Sequence, residues 1–97
     1  MKYLKINKIK YTKFQLSVWN YVKKIPLGKT KSYSQVAKAI NKPRSYRAVA
    51  NALGKNPYPI IIPCHRVIRS NGSLGGYSGK GGLKTKIMLL KKEGIKL

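Results

Sequence analysis

From Thr12 to Gly54 the apolar residues recur at spacings of three and four, and beyond Gly54 that rhythm gives way to prolines and glycines. Phe14, Val18, Tyr21 and Val22 share one face of a helix predicted over residues 12–24, with Thr12 as N-cap and Pro26 and Gly28 as terminators. Trp19 within it reads as a packing residue, because a large aromatic at helical spacing is usually buried. A second helix is predicted from Ser32–Ser34 to about Ile40, burying Val36, Ala37 and Ile40, and Asn41-Lys42-Pro43 breaks it. A third, from about Ser45 to Leu53, turns Tyr46, Val49, Ala50 and Leu53 inward and stops at Gly54. Two short helices joined by a turn of roughly four residues, after a longer leading helix, form a helix-turn-helix pattern.

The second half reads differently. Asn56-Pro57-Tyr58-Pro59 is extended, since each proline biases its predecessor away from helix. Ile60–Ile62 is a short buried strand or extended segment that leads into Pro63-Cys64-His65-Arg66-Val67-Ile68. Val67–Ser70, an Asn71-Gly72 turn and Ser73-Leu74 fit a type I′ hairpin. Six of the nine glycines fall between Gly72 and Gly82, a tightly turned or flexible loop able to fold over a ligand. Gly79-Lys80-Gly81 lacks the spacing and the Ser or Thr of a nucleotide-binding P-loop. A last helix is predicted over residues 83–92 with Leu83, Ile87 and Leu90 inward, Glu93 at its final turn and Gly94 ending it. The expected fold is mainly α, a helix-turn-helix or winged-helix-like bundle of about four helices with a small β-hairpin wing. Residues 1–11 form a short basic tail or strand, and 12–97 form one domain.

Charge turns this small bundle toward a particular partner. The 97 residues carry 22 Lys and Arg against one acidic residue, a formal net charge of +21. Such an excess favours a polyanion, because each phosphate neutralised releases condensed counterions. Adaptation to salt or heat normally keeps both signs, which this chain does not. No apolar run approaches a membrane span, and the N-terminal MKYLKINKIK has no continuous apolar core of a signal peptide. The expectation is an intracellular, cytoplasmic and nucleoid-associated monomer that binds nucleic acid, with its lone cysteine reduced. Arg44 and Arg47 open the third helix, where a recognition helix meets the duplex, and Ala48, Ala50 and Asn51 offer small side chains for close approach.

Three single-copy residues supply the candidate chemistry: Cys64, His65 and Glu93 are the only cysteine, histidine and acidic residue. Thiolate is the reactive form of cysteine, an imidazole can serve as its base, and a carboxylate can orient that imidazole. An adjacent Cys-His pair lacks metal-ligand spacing, so no metal is expected. The competing reading is an inert, buried cysteine in a non-enzymatic basic winged-helix protein of chromatin or regulation.

The segment NPYPIIIPCHRVI, residues 56–68, resembles the active-site signature of the O6-alkylguanine-DNA alkyltransferases. The resemblance extends to Ser32-Tyr33, Arg47-Ala48-Val49, Gly76-Tyr77-Ser78-Gly79 and Leu89-Leu90-Lys91-Lys92-Glu93-Gly94, with a small insertion around Lys80 and Gly81. It implies that Cys64 accepts an alkyl group from O6-alkylguanine in double-stranded DNA, once and irreversibly, with no cofactor. It further implies that His65 is the base acting through a water, that Glu93 orients it, and that Asn56 is a hinge. Tyr33 contacts the flipped guanine and assists its departure, and Arg47 fills the stack it leaves. The main-chain carbonyls of Cys64 and Val67 read the exocyclic amine, while Tyr77 and Ser78 cover the modified oxygen. The helix-turn-helix of such proteins enters the minor groove. Two departures accompany the match. Family members commonly carry a further N-terminal domain, whereas about eleven residues precede the first helix here, so the chain is expected to be the DNA-binding and active-site domain without it. A related alkyltransferase-like group binds lesions without repair and carries another residue at the cysteine position, against which Cys64 argues.

Overall fold

The computed structural model describes residues 11–58, 61–77 and 79–96. Four helices and two short strands follow in the order α1 (Lys13–Val22), β1 (Lys31–Ser32), α2 (Tyr33–Ala39), α3 (Tyr46–Gly54), a 3-10 turn (Cys64–Arg66), β2 (Val67–Ile68) and α4 (Gly82–Lys92). Each of the first two helices opens on a reciprocal cap. Thr12 accepts from the Gln15 N–H while the Gln15 side chain accepts from the Thr12 N–H, and Ser32 with Gln35 repeats the arrangement. α4 ends at Lys92 with Glu93 as its C-cap, and Gly94 beyond takes the left-handed conformation (φ 84°) that stops the helix.

α1 packs on α2 and α3, and the core between them is apolar. Val18, Trp19, Val22, Val36, Ala37 and Val49 are fully buried, as expected from their spacing. The one polar atom of Trp19 donates from Nε1 to the Ala52 carbonyl at 2.8 Å, so the ring is buried without an orphaned donor. Ile62 and Val67 extend the same core toward the C-terminal half.

Several expectations are corrected. Val67–Ile68 forms its ladder not with Ser73-Leu74 but in parallel with β1, in the register Lys31↔Val67 and Ser32↔Ile68. The turn at Asn71-Gly72 exists, closed by Gly72 N–H to the Arg69 carbonyl and Arg69 N–H to the Ser73 carbonyl. A type I′ turn needs positive φ at both central residues, and only Gly72 (φ 88°) has it. The Asn71 side chain accepts from the Ser73 N–H and makes a local turn in place of a second ladder. Tyr46 is 45% exposed and Ala52 is buried in its stead, because the first turn of α3 overhangs a cavity. On α4 Leu83 is 48% exposed and the fully buried positions are Lys86 and Leu90. Gly54 is the last helical residue of α3 and not its cap. Of the expected Ile60–Ile62 strand, Ile60 lies outside the described residues, Ile61 is exposed and Ile62 is buried.

Candidate active site

The parallel pair β1–β2 brings two distant segments together. β1 runs directly into α2, so Tyr33 is presented beside β2 and the turn that precedes it. That turn reaches its place through Asn56. Its Nδ2 donates to the Ile62 carbonyl at 2.8 Å and its Oδ1 accepts from the Tyr58 N–H at 2.9 Å. This buried side chain bends the chain back from the end of α3 and delivers Cys64, itself 5% exposed, to the core edge.

In the 3-10 turn, His65 and Arg66 both reach across to Glu93. His65 Nε2 lies 2.7 Å from Glu93 Oε2. Arg66 Nε donates to Oε1 at 2.8 Å and Arg66 Nη2 to Oε2 at 3.0 Å, while its Nη1 donates to the Ile25 carbonyl at 2.8 Å. The Arg66 hydrogen bonds first, and those of His65 after them, outweigh burial and pull the Glu93 carboxyl from 4.5 down to about 2. A carboxylate at a helix C-terminus meets the unfavourable end of the dipole, and the bidentate guanidinium offsets that. An ionised Glu93 only accepts, so the hydrogen-bond network assigns the proton of neutral His65 to Nε2. Nδ1 then carries the lone pair. It is buried and bonds to no described protein atom, an imidazole nitrogen able to take a proton beside Cys64.

A cavity of about 850 Å³ opens over Cys64. Tyr33 and Ser34 of α2 form one side, Tyr46, Arg47 and Ala50 of α3 another, and the segments Arg69–Asn71 and Gly75–Tyr77 close the rest. Gly75 (φ 70°) approaches Tyr33 so closely that a Cβ there would lie 2.5 Å from its hydroxyl oxygen. Burial, opposed by Arg69, raises the Tyr33 pKa, so its hydroxyl stays protonated and able to donate at neutral pH. Tyr77 is raised as well, by burial first and then by electrostatic coupling to Cys64, and its ring meets His65 edge to face with centroids 6.4 Å apart.

Residues 13–95 match the family model described as the DNA-binding domain of 6-O-methylguanine DNA methyltransferase. The chain belongs to this family. Among relatives, the inducible methylated-DNA–protein-cysteine methyltransferase of Bacillus subtilis is 56% identical over 81 residues, covering 84% of this chain and 45% of that protein. The Mycobacterium tuberculosis protein OGT, solved in complex with DNA, superposes with a TM-score of 0.83 at 46% identity, over 88% of this chain and 51% of that one. S. pombe Atl1, solved with damaged DNA containing O6-carboxymethylguanine, superposes at 0.73 with 28% identity, over 90% of this chain and 81% of that one. The chain spans about half the length of the curated relatives it matches.

Within this methyltransferase-family domain, most candidate residues named from sequence converge. Cys64, Tyr33, Arg47, Ala50 and Tyr77 line the cavity, and His65 and Glu93 are hydrogen-bonded behind it. Ala48, Asn51 and Arg44 are exposed on or just before α3 and do not line the cavity. Val67 is fully buried, and its carbonyl accepts from Lys86 at 2.8 Å. Ser78 lies outside the described residues. Two residues were missed. Arg66 stood inside the quoted motif without a role, and its only signal was adjacency to His65. Lys86 occupies a core position four residues before Leu90, a charge in an apolar stripe.

Proposed function

We propose that this domain repairs DNA by moving the alkyl group of O6-alkylguanine onto Cys64. The observation that carries this reading is the placement of Cys64 under a cavity, next to a histidine whose outer nitrogen is fixed by an ionised carboxylate. His65 Nδ1 takes the thiol proton, directly or through one water, and the thiolate attacks the saturated carbon of the substituent. The carbon–sulfur bond forms as the carbon–oxygen bond breaks. The electron pair goes to guanine, and the Tyr33 hydroxyl donates to the departing base. The product is a thioether that nothing in the chain can cleave, so each molecule acts once and needs no cofactor.

A nucleotide must leave the duplex to reach Cys64, at a cost of a few kcal/mol that a damaged base reduces. Arg47 stands on the exposed face of α3 at the cavity rim, where it fills the gap in the stack. Ala48 and Asn51 share that exposed face, while Arg44 and the remaining cations supply affinity independent of sequence. A relative solved with DNA and another solved with O6-carboxymethylguanine DNA support the same partner here. Among the described residues no helix is long and apolar enough to cross a membrane. The proposed setting is the cytoplasm, on the nucleoid, with the protein acting as a monomer.

Intact mass after incubation with a duplex containing O6-methylguanine tests the reaction. The expected result is one added methyl group on the protein, absent in Cys64→Ala. An unchanged mass under conditions of tight DNA binding overturns the proposal in favour of a non-enzymatic DNA-binding protein.

A further inference from the structure

Lys86 is fully buried, in a chain whose only side-chain carboxylate is already bound by Arg66 and His65. A buried ammonium without a counter-charge is costly, and an apolar residue on this face of α4 would serve packing better. What Lys86 has instead is three carbonyls. Its Nζ donates to Val67 at 2.8 Å, to Leu74 at 2.5 Å and to Gly76 at 3.0 Å, and it lies 6.0 Å from the centroid of the Tyr33 ring. An ammonium has three protons and no acceptor, so each proton is used and the group is satisfied by neutral backbone alone.

The three carbonyls belong to two different segments that lead into the lining of the cavity, of which Gly76 itself is part. Val67 follows the turn that holds Cys64, whereas Leu74 and Gly76 flank the glycine packed against Tyr33 and precede Tyr77. Between β2 and α4 no described residue belongs to a helix or strand, so no ladder sets the spacing of these segments. A side chain from a third element does.

We propose that Lys86 is a positioning residue for alkyl transfer: it fixes the Gly75–Tyr77 wall at a set distance from Val67 and thereby aims a bound base at Cys64. The inference rests on the alkyl-transfer reading and assigns Lys86 no contact with the reacting atoms. Only a cation performs this task, because a neutral amine has two protons for three acceptors. Burial lowers the Lys86 pKa to about 8, with electrostatic coupling to Cys64 acting against it and Arg69 lowering it further. The groups facing it are thus Tyr33 from α2, Cys64 from the 3-10 turn and Arg69 beyond β2. Deprotonation above about pH 8 loosens the wall, while the fold itself gains stability over the interval up to 10.5, since a depressed lysine pKa means the unfolded chain binds the proton more tightly.

The test compares Lys86→Met, which keeps the volume, and Lys86→Gln, which keeps two donors, with the unsubstituted protein. Methyl transfer from an O6-methylguanine duplex is expected to fall about 100-fold in Lys86→Met and less in Lys86→Gln, the scale of a misplaced reacting group. Reaction of Cys64 with a small neutral disulfide, and affinity for undamaged duplex, are expected to stay within about threefold. Amide hydrogen exchange at Gly76 and Tyr77 is expected to accelerate in both variants. Transfer at the unsubstituted rate overturns the inference, as does unaltered exchange at Gly76 and Tyr77. A parallel loss of disulfide reactivity also overturns it, because Lys86 then acts on the thiolate itself. If the unsubstituted protein transfers nothing, the alkyl-transfer reading fails on its own and the exchange measurement alone decides whether Lys86 holds the wall.

Discussion

The two halves of the domain are held by different forces. α1, α2 and α3 close on an apolar core in which the buried Trp19 Nε1 has its partner in the Ala52 carbonyl. Residues 56–96 bury Asn56, His65 and Lys86, each holding irregular chain or another element through side-chain hydrogen bonds. The contrast follows from direction. Apolar burial scales with area and does not specify an angle, which suits helices whose shape is set by their own ladders. A wall of irregular backbone around a cavity has no ladder, and directional bonds from neighbouring elements must fix it.

The largest expected effect that would break this contrast lies in the helical half. Trp19→Ala should cost about 3–5 kcal/mol in urea unfolding, the range for deleting a buried aromatic. A cost below about 1 kcal/mol would show that α1 and α3 are not anchored by this ring.

In the second half the expected loss extends from stability to chemistry. Glu93→Gln should slow methyl transfer by about 100- to 10,000-fold, the usual contribution of acid–base catalysis, and lower the thermal midpoint at neutral pH. The Glu93 carboxyl is held at about 2 in the folded state against 4.5 ordinarily, so its stabilising charge is complete above about 4.5 and is lost as pH falls toward 2. Because Glu93 is the chain's only acidic side chain, that acid limb should flatten in Glu93→Gln. Persistence of the limb, or an unslowed transfer, would remove Glu93 from the relay.

The smallest effect belongs to the surface between the halves. Arg47→Ala should leave stability within about 0.5 kcal/mol, as expected of an exposed position. Transfer from duplex DNA should drop about tenfold, about 1.4 kcal/mol and so a part of the unstacking cost, while reaction with free O6-methylguanine is unchanged. Equal losses on both substrates would place Arg47 in base binding and not in extrusion.

How much of this was legible follows the same division. The cap residues Thr12 and Ser32 and the apolar spacing of α1 to α3 gave the helices, because those signals are local. Cys64, His65 and Glu93 stood out as single copies in an ordered motif, and the structure joins His65 to Glu93 through a 2.7 Å contact. Two-residue strands carry no periodicity, so the pairing of Val67 with Lys31 left no trace in the sequence around either. Tyr46 and Leu83 sit in the first turns of their helices, where the apolar face runs past its packing partner. Lys86 was one cation among 22, and composition shows charge without showing burial.

Asn56 has a consequence for the chemical lifetime of the molecule. Its amide is divided, the oxygen holding Tyr58 and the nitrogen holding Ile62, so conversion to aspartate would keep the first bond and lose the second. Asparagine usually ages by attack of the next residue's backbone N–H on its side chain. Pro57 has no N–H to offer. The proline that follows Asn56 thus closes the ordinary route by which the clasp ahead of Cys64 would decay.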